Sequence, residues 1–297
     1  NRHSSDLLVR RYMDPTLGAG SRVVNNGEMR NRGVELSLSA NIIRKKDWNF
    51  AVDFNFDYNK NKMLKVDHSE SDNASLFIKS PLNYFMEGTS YNTLWAYRIH
   101  RIENGYPVAV DKDGNDLVKF NEDGTVASIT SGSSLKGTDD LVNLGSLTPK
   151  FSGSVGLRFN YKNFDLNIYF YGEAGRKRGA SYYEGWTRMD NGINVSTYAL
   201  KAFSSNNLTA TDPTYVRGGN GWGDYYVKSI YYVRCGSITL GYKVPISQKI
   251  VNNLRVYVDV NNPFVITNWT GLDPETDNGT YAYPNVTSYN FGVSISF

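Results

Sequence analysis

Residues 48–58 read WNFAVDFNFDY, in which Trp48, Phe50, Val52, Phe54, Phe56 and Tyr58 alternate without a miss with Asn49, Ala51, Asp53, Asn55 and Asp57. A period of two is the mark of a β-strand, whose side chains point to opposite faces in turn. One face of this strand is large and apolar and the other polar, so each must meet a different surrounding. The mean hydropathy of −0.46 hides this division, because the two faces average out.

The alternation recurs along the chain. Val34, Leu36, Leu38, Ala40 and Ile42 share a face in GVELSLSANII, and Val155, Leu157, Phe159 and Tyr161 share one in FSGSVGLRFNY. Phe164, Leu166, Ile168 and Phe170 follow in FDLNIYFY, Leu254, Val256, Val258 and Val260 in LRVYVDV, and Tyr289, Phe291, Val293, Ile295 and Phe297 in the closing YNFGVSISF. No window of similar length has a clean helical period, so the fold class is all-β and antiparallel.

Connections are of two kinds. Those at 44–47, 162–163 and 245–253 are short, whereas about 60–86, 121–150, 173–228 and 262–286 are long and rich in Gly, Asn, Asp and Ser. Compact soluble domains seldom carry several such loops. Short turns at one end and long loops at the other mark a transmembrane β-barrel. Eleven residues rising about 3.3 Å each and tilted about 45° also match its apolar band of about 25 Å. The 14% aromatic content, with 22 Tyr, suits girdles at the two membrane interfaces, where Trp48, Tyr58, Tyr161, Tyr242 and Tyr289 end strands. A large soluble β-sandwich also alternates and is the competing reading.

Other classes find little support. A net charge of +3 on 297 residues, with Lys and Arg scattered, gives no nucleic-acid stripe. One cysteine, Cys235, excludes a disulfide framework. His3, His68 and His100 are isolated, so nothing marks a catalytic centre and no cofactor is implied.

Taking short turns as one side of the membrane fixes strand direction. Strands 33–43 and 151–161 run inward, and 47–59 and 164–171 outward. The segment between 60 and 150 then holds no wall strand or two, with 88–101 and 106–120 as candidates. Adding 229–243, 253–261, 287–297 and a stub at 5–12 gives about ten strands. Strict alternation in 229–243 would put Arg234 on the face of Tyr232, Ile238 and Leu240, where lipid contact costs about 2–4 kcal/mol. A bulge at Cys235-Gly236 is therefore expected, turning Arg234 to the lumen; a place near the outer interface is the other solution.

Five stretches resemble one known family. NNGEMRNRGVELSL, SLTPKFSGSVGLRFNYKNFDLNIYFYGEAG, YYVRCGSITLGYKVP, LRVYVDVNNPFVITNWTGLDPET and the terminal VSISF are similar, in order, to motifs of the SusC-like (RagA-like) TonB-dependent outer-membrane transporters of Bacteroides-type Gram-negative bacteria. The pattern departs from the family at Cys235 and Gly236. Such barrels have about 22 strands, so the resemblance implies that residues 1–297 are the C-terminal portion of one, with signal peptide, TonB box and plug domain upstream. It implies active nutrient import of a glycan or oligopeptide, powered through TonB. The partners implied are a SusD-like surface lipoprotein and the lipid bilayer, with transporter–lid pairs able to dimerise. A self-contained structural or adhesive barrel, and a barrel enzyme, are the alternatives.

Candidate sites follow from both lines. Glu35, Asp53, Asp57, Arg158, Arg234, Arg255 and Asp259 face the lumen in the barrel reading, where they grip the plug, line the path or simply wet the wall. In the long loops Tyr182, Tyr183, Trp186, Trp222, Tyr225, Tyr226 and Trp269 set aromatic faces beside hydrogen-bonding groups. That mixture suits sugar stacking or a protein contact, and the family favours ligand or lid. Packing of loop on loop is the plainer role. DKDGND (111–116) and DPETDNG (273–279) contain Asp-Gly or Asp-Asn turn chemistry; no metal is expected, Asp273, Glu275 and Asp277 being the candidates if one binds.

Overall fold

A computed structural model describes residues 1–12, 21–65, 82–83, 86–129, 141–179, 197–201, 223–225, 227–246, 251–276 and 283–297. Eight long strands form one antiparallel sheet in chain order. They are β1 (Arg2–Tyr12), β2 (Ser21–Arg44), β3 (Trp48–Lys65), β4 (Phe151–Tyr161), β5 (Phe164–Gly179), β6 (Val227–Val244), β7 (Asn253–Thr267) and β8 (Ser288–Ser296). Among the described residues no helix is long and apolar enough to cross a membrane.

The registers put like with like. Phe54 stands opposite Val155 and Leu38, and Val155 opposite Phe170, while Asn55 stands opposite Ser37 and Ser154. The strands from β2 to β8 thus add apolar groups to one face and polar groups to the other. The apolar face is not buried: Leu38 is 54% exposed, Leu240 50%, Val293 62% and Phe291 79%. So wide an exposed apolar surface has no place in water and needs hydrocarbon against it.

Rings bound this face at both ends. At the turn end Trp48 meets Tyr161 at 4.8 Å and Phe164 meets Tyr242 at 4.6 Å between centroids; these four lie side by side across β3 to β6. At the loop end Tyr58 meets Phe151 at 5.2 Å. Tyr58 lies ten steps beyond Trp48 along β3, about 33 Å of strand, which tilt reduces to the height of an apolar band. The turns are stitched together, Lys162 N–H donating to Asp47 O at 2.9 Å and Lys243 N–H to Asn163 O at 2.8 Å. Lys162 itself takes a left-handed backbone, φ 51°. The 24 residues of β2 exceed any membrane span, so its first half and β1 project beyond the band on the loop side.

Between β3 and β4 the described residues hold no wall strand. The candidates 88–101 and 106–120 instead form small pairs: Thr93–Ala96 with Val142–Ser146, Arg98–Glu103 with Tyr106–Val110, and Val118–Phe120 with Val126–Ile129. Of the two counts that parity allowed, zero is the one adopted, and the wall has eight strands here rather than about ten. The reason is visible in the pattern. Thr93–Ala96 and residues 107–110 are buried at every position, so they lack the one-sided exposure of a stave. Trp95, Tyr97, Ala109, Leu117 and Leu141 close into a core of their own, with Met86 and Ile99 against it.

Two glycines reverse the alternation. Gly236 is an extra residue opposite β5, while on its other side it faces two residues of β7, Asn262 and Pro263, so Arg234 and Tyr232 lie on the polar face while Ile238 and Leu240 stay on the apolar one. Gly175, at φ +80°, does the same in β5 and turns Arg176 and Arg178 to the polar face. Cys235 stands between Phe170 and Phe264, whose rings meet at 6.2 Å, and is fully buried. The sheet does not close on itself. The edge of β2 beyond Asn31 and the outer edge of β8 pair with nothing among the described residues.

Candidate functional site

The polar face is wired across strands. Asp53 accepts from Ser39 Oγ at 2.6 Å and pairs with Arg158 at 2.9 Å. Asn55 bridges Ser37 and Ser154 at 2.7 and 3.2 Å. Arg255 grips Asp165 through Nε at 2.8 Å and Nη2 at 2.5 Å. Asp259 accepts from Thr239 Oγ1 and Asn261 Nδ2, both at 2.7 Å. Glu35 lies directly opposite Asp57, and both open into a recess of about 820 Å³ with Glu173, Glu275, Tyr171 and Tyr232 on its rim.

Above this recess the stretch 268–276 folds back over β5 and β6. Thr267 Oγ1 donates to Tyr231 O at 2.7 Å, and the Asn268 side chain accepts from Tyr231 N and donates to Ser229 O. These side chains continue the β6–β7 ladder past its last backbone pair and then steer the chain inward. There Arg234, only 2% exposed, places Nη2 2.8 Å from both oxygens of Asp273, and its Nε faces the Glu275 carboxylate. Glu275 also accepts from Tyr171 OH at 3.2 Å and Asn285 Nδ2 at 2.9 Å. Arg176 and Arg178 donate to Pro274 O at 2.6 and 2.5 Å, and Arg178 also to Thr276 O.

Each buried charge here has a partner, as burial requires. Burial pushes the Asp273 carboxyl up, but the amides of Glu275 and Asn285, at 2.8 and 3.0 Å, together with Arg234, outweigh it and hold the group below the usual carboxylate range. Trp269, 7% exposed, lies with its ring 4.7 Å from the Arg178 guanidinium. That cation occupies one of its faces.

All seven lumen candidates therefore sit on one polar face, six as wall groups and Arg234 as the anchor of the folded loop. The carboxylates of Asp273 and Glu275 converge on Arg234. Tyr225 is half-buried in a turn whose Asp224 accepts from Ile99 N at 2.8 Å, so this loop docks on the small hairpins. Tyr182, Tyr183, Trp186, Trp222, Tyr226 and Asp277 lie outside the described residues. Sequence reasoning missed Arg176, Arg178, Tyr171 and Tyr232. Gly175 in GEAGRKR was the available signal, since a glycine inside a strand marks a bulge.

No family model matches the sequence. Among curated proteins, TonB-dependent receptor P3 of Formosa agariphila is 26% identical over 326 aligned residues, covering 99% of this chain and 31% of that protein. TonB-dependent receptor SusC of Bacteroides thetaiotaomicron is 30% identical over 295, covering 92% of this chain and 27% of that one. The chain belongs to the SusC-like TonB-dependent receptors. Among solved structures, the RagAB peptide transporter superposes with a TM-score of 0.77 at 23% identity, over 99% of this chain and 32% of the other. That match shows a shared fold. This SusC-like chain spans about a third of the length of the relatives it matches.

Proposed function

We propose that this SusC-like chain is wall and outer-rim loops of an active importer in the outer membrane of a Gram-negative, Bacteroides-type bacterium. In this reading a SusD-like lipoprotein closes over the loops, and energy delivered through TonB opens the lumen to an oligomeric nutrient. The observation that carries it is the two-faced sheet: an exposed apolar face bounded by rings, and a hydrogen-bonded polar face behind it. Open edges cannot stand in hydrocarbon, where every backbone group must be satisfied. The wall therefore needs further strands, which favours a large barrel over a small structural one.

A peptide cargo is the better supported of the two classes, because the structure it superposes on is that of a peptide transporter and Glu35 and Asp57 open side by side into the recess, whereas its other two carboxylates, Glu173 and Glu275, already face Arg176 and Arg234. Glu35 and Asp57 would attract cationic groups of a peptide more than a neutral glycan. The test is uptake by cells carrying or lacking the complete transporter, given labelled oligopeptide and oligosaccharide mixtures. Loss of peptide uptake on deletion, with a lipoprotein co-purifying, supports the proposal. Unchanged uptake of both mixtures, or purification with no lipoprotein, counts against it.

A further inference from the structure

Just past the loop-side ring of Tyr58, the apolar face of β2 and β3 ends in four cations. Val34 stands opposite Tyr58, then Arg32 opposite Lys60, then Arg30 opposite Lys62. These are like charges placed directly across from one another, an arrangement that destabilises a sheet unless an anion sits between them. None of the four forms an ion pair with a residue whose side chain is described. Glu28, on the same face two positions beyond Arg30, lies 3.6 Å from His3. Arg32, Lys60 and Lys62 are exposed.

One strand over, the same face carries an apolar groove. Gly153 and Gly172 are register partners, and with no side chains they leave a channel of about 420 Å³ walled by Phe56, Phe151, Val155, Phe170, Tyr231 and Val233. It begins at the level of Phe151, beside Tyr58, and runs down into the band.

Resting on the membrane reading above, we propose that Arg30, Arg32, Lys60 and Lys62 bind the headgroup phosphates of an outer-leaflet lipid whose acyl chain lies in the Gly153–Gly172 groove. The two cation rows are two residues apart, about 7 Å along the strand, so they fit a headgroup with two phosphates better than one with a single phosphate. Arginine supplies forked donors and lysine point charges to the same oxygens. Continuity with the groove selects a lipid over free phosphate. At the turn rim, by contrast, Arg44, Lys45 and Lys46 are followed by Asp47.

The test uses the complete transporter, purified in mild detergent and incubated with bisphosphorylated lipid A, its phosphate-free form, or phosphatidylglycerol, with bound lipid read by native mass spectrometry. Bisphosphorylated lipid should be retained best. Arg32→Gln with Lys60→Gln should lower that retention about tenfold or more and leave the phosphate-free lipid unchanged. Arg30→Gln with Lys62→Gln is the second variant, and heat-modifiable migration checks that each is folded. Retention unchanged in a folded variant, or equal for all three lipids, overturns the proposal. A protein that binds no lipid and does not enter bilayers overturns the membrane reading instead.

Discussion

Arg234 and Asp273, 39 residues apart in sequence, meet at 2.8 Å through both carboxylate oxygens with almost no solvent on either side chain. One belongs to a wall strand and the other to the long loop after β7, so this contact sets where the loop lies. Removing one member of such a buried pair strands the other charge, at a cost of about 3 kcal/mol or more.

Arg234→Gln should therefore free residues 268–276 while the wall stays folded. Limited proteolysis of the complete transporter should show a new cleavage in that stretch with heat-modifiable migration retained. Arg158→Gln breaks an exposed pair with Asp53 and should change stability by less than about 1 kcal/mol. Equal protection of the loop in both variants would show that Arg234 does not hold it.

Acid should loosen the same loop. The Asp273 carboxyl is lowered by the amides of Glu275 and Asn285 and by Arg234, against the opposing effect of burial. A released carboxyl takes up its proton first as pH falls, so the released state binds more protons in the window below about pH 4. The docked loop is thus fully favoured above that window and loses stability as pH falls through it. Hydrogen exchange of 268–276 should quicken on acidification below about pH 4, and Asp273→Asn should flatten that dependence.

Gly172 is fixed by its neighbour strand. A Cβ there would lie 2.3 Å from the backbone oxygen of Tyr232, so Gly172→Ala must push β5 and β6 apart, costing about 2–3 kcal/mol. Gly179→Ala meets nothing within 4 Å and should be silent. The folded fraction after urea extraction distinguishes the two, and equal fractions would contradict the close strand approach.

The two faces should respond oppositely to charge. Val258→Arg, on the apolar face, should cost about 2–4 kcal/mol, whereas Asn160→Arg, on the polar face opposite Asp165, should cost under about 1 kcal/mol. Urea titration of the transporter in bilayers measures both. Similar losses would remove the distinction between hydrocarbon and water on which the fold rests.

The sequence made these faces legible because lipid and water impose opposite demands on alternate residues, so Trp48 to Tyr58 could be sorted by parity alone. Parity fails where a residue is inserted. The break at Cys235-Gly236 was visible because Arg234 would otherwise have met lipid. The one at Gly175 passed unnoticed because Arg176 and Arg178 lie near a strand end, where a charge raises no alarm. The small hairpins between β3 and β4 were misplaced for another reason. Thr93–Ala96 and residues 107–110 look like strands and are strands, but contiguous burial, not alternation, is their pattern. The partners of Arg234 could not be foreseen, since nothing local in DPET announces which strand the loop will fold onto.

The cluster around Trp95, Tyr97 and Leu117 has a consequence for how such proteins diversify. A surface insertion that carries its own dry interior draws only part of its solidity from the palisade beneath it, through the bonds of Asn61 and Met63 to residues 88–91 above the last β3–β4 pair. It can be rewritten, or exchanged for another, without disturbing the pairing of β3 with β4. Selection can then act on the rim while the staves keep their spacing.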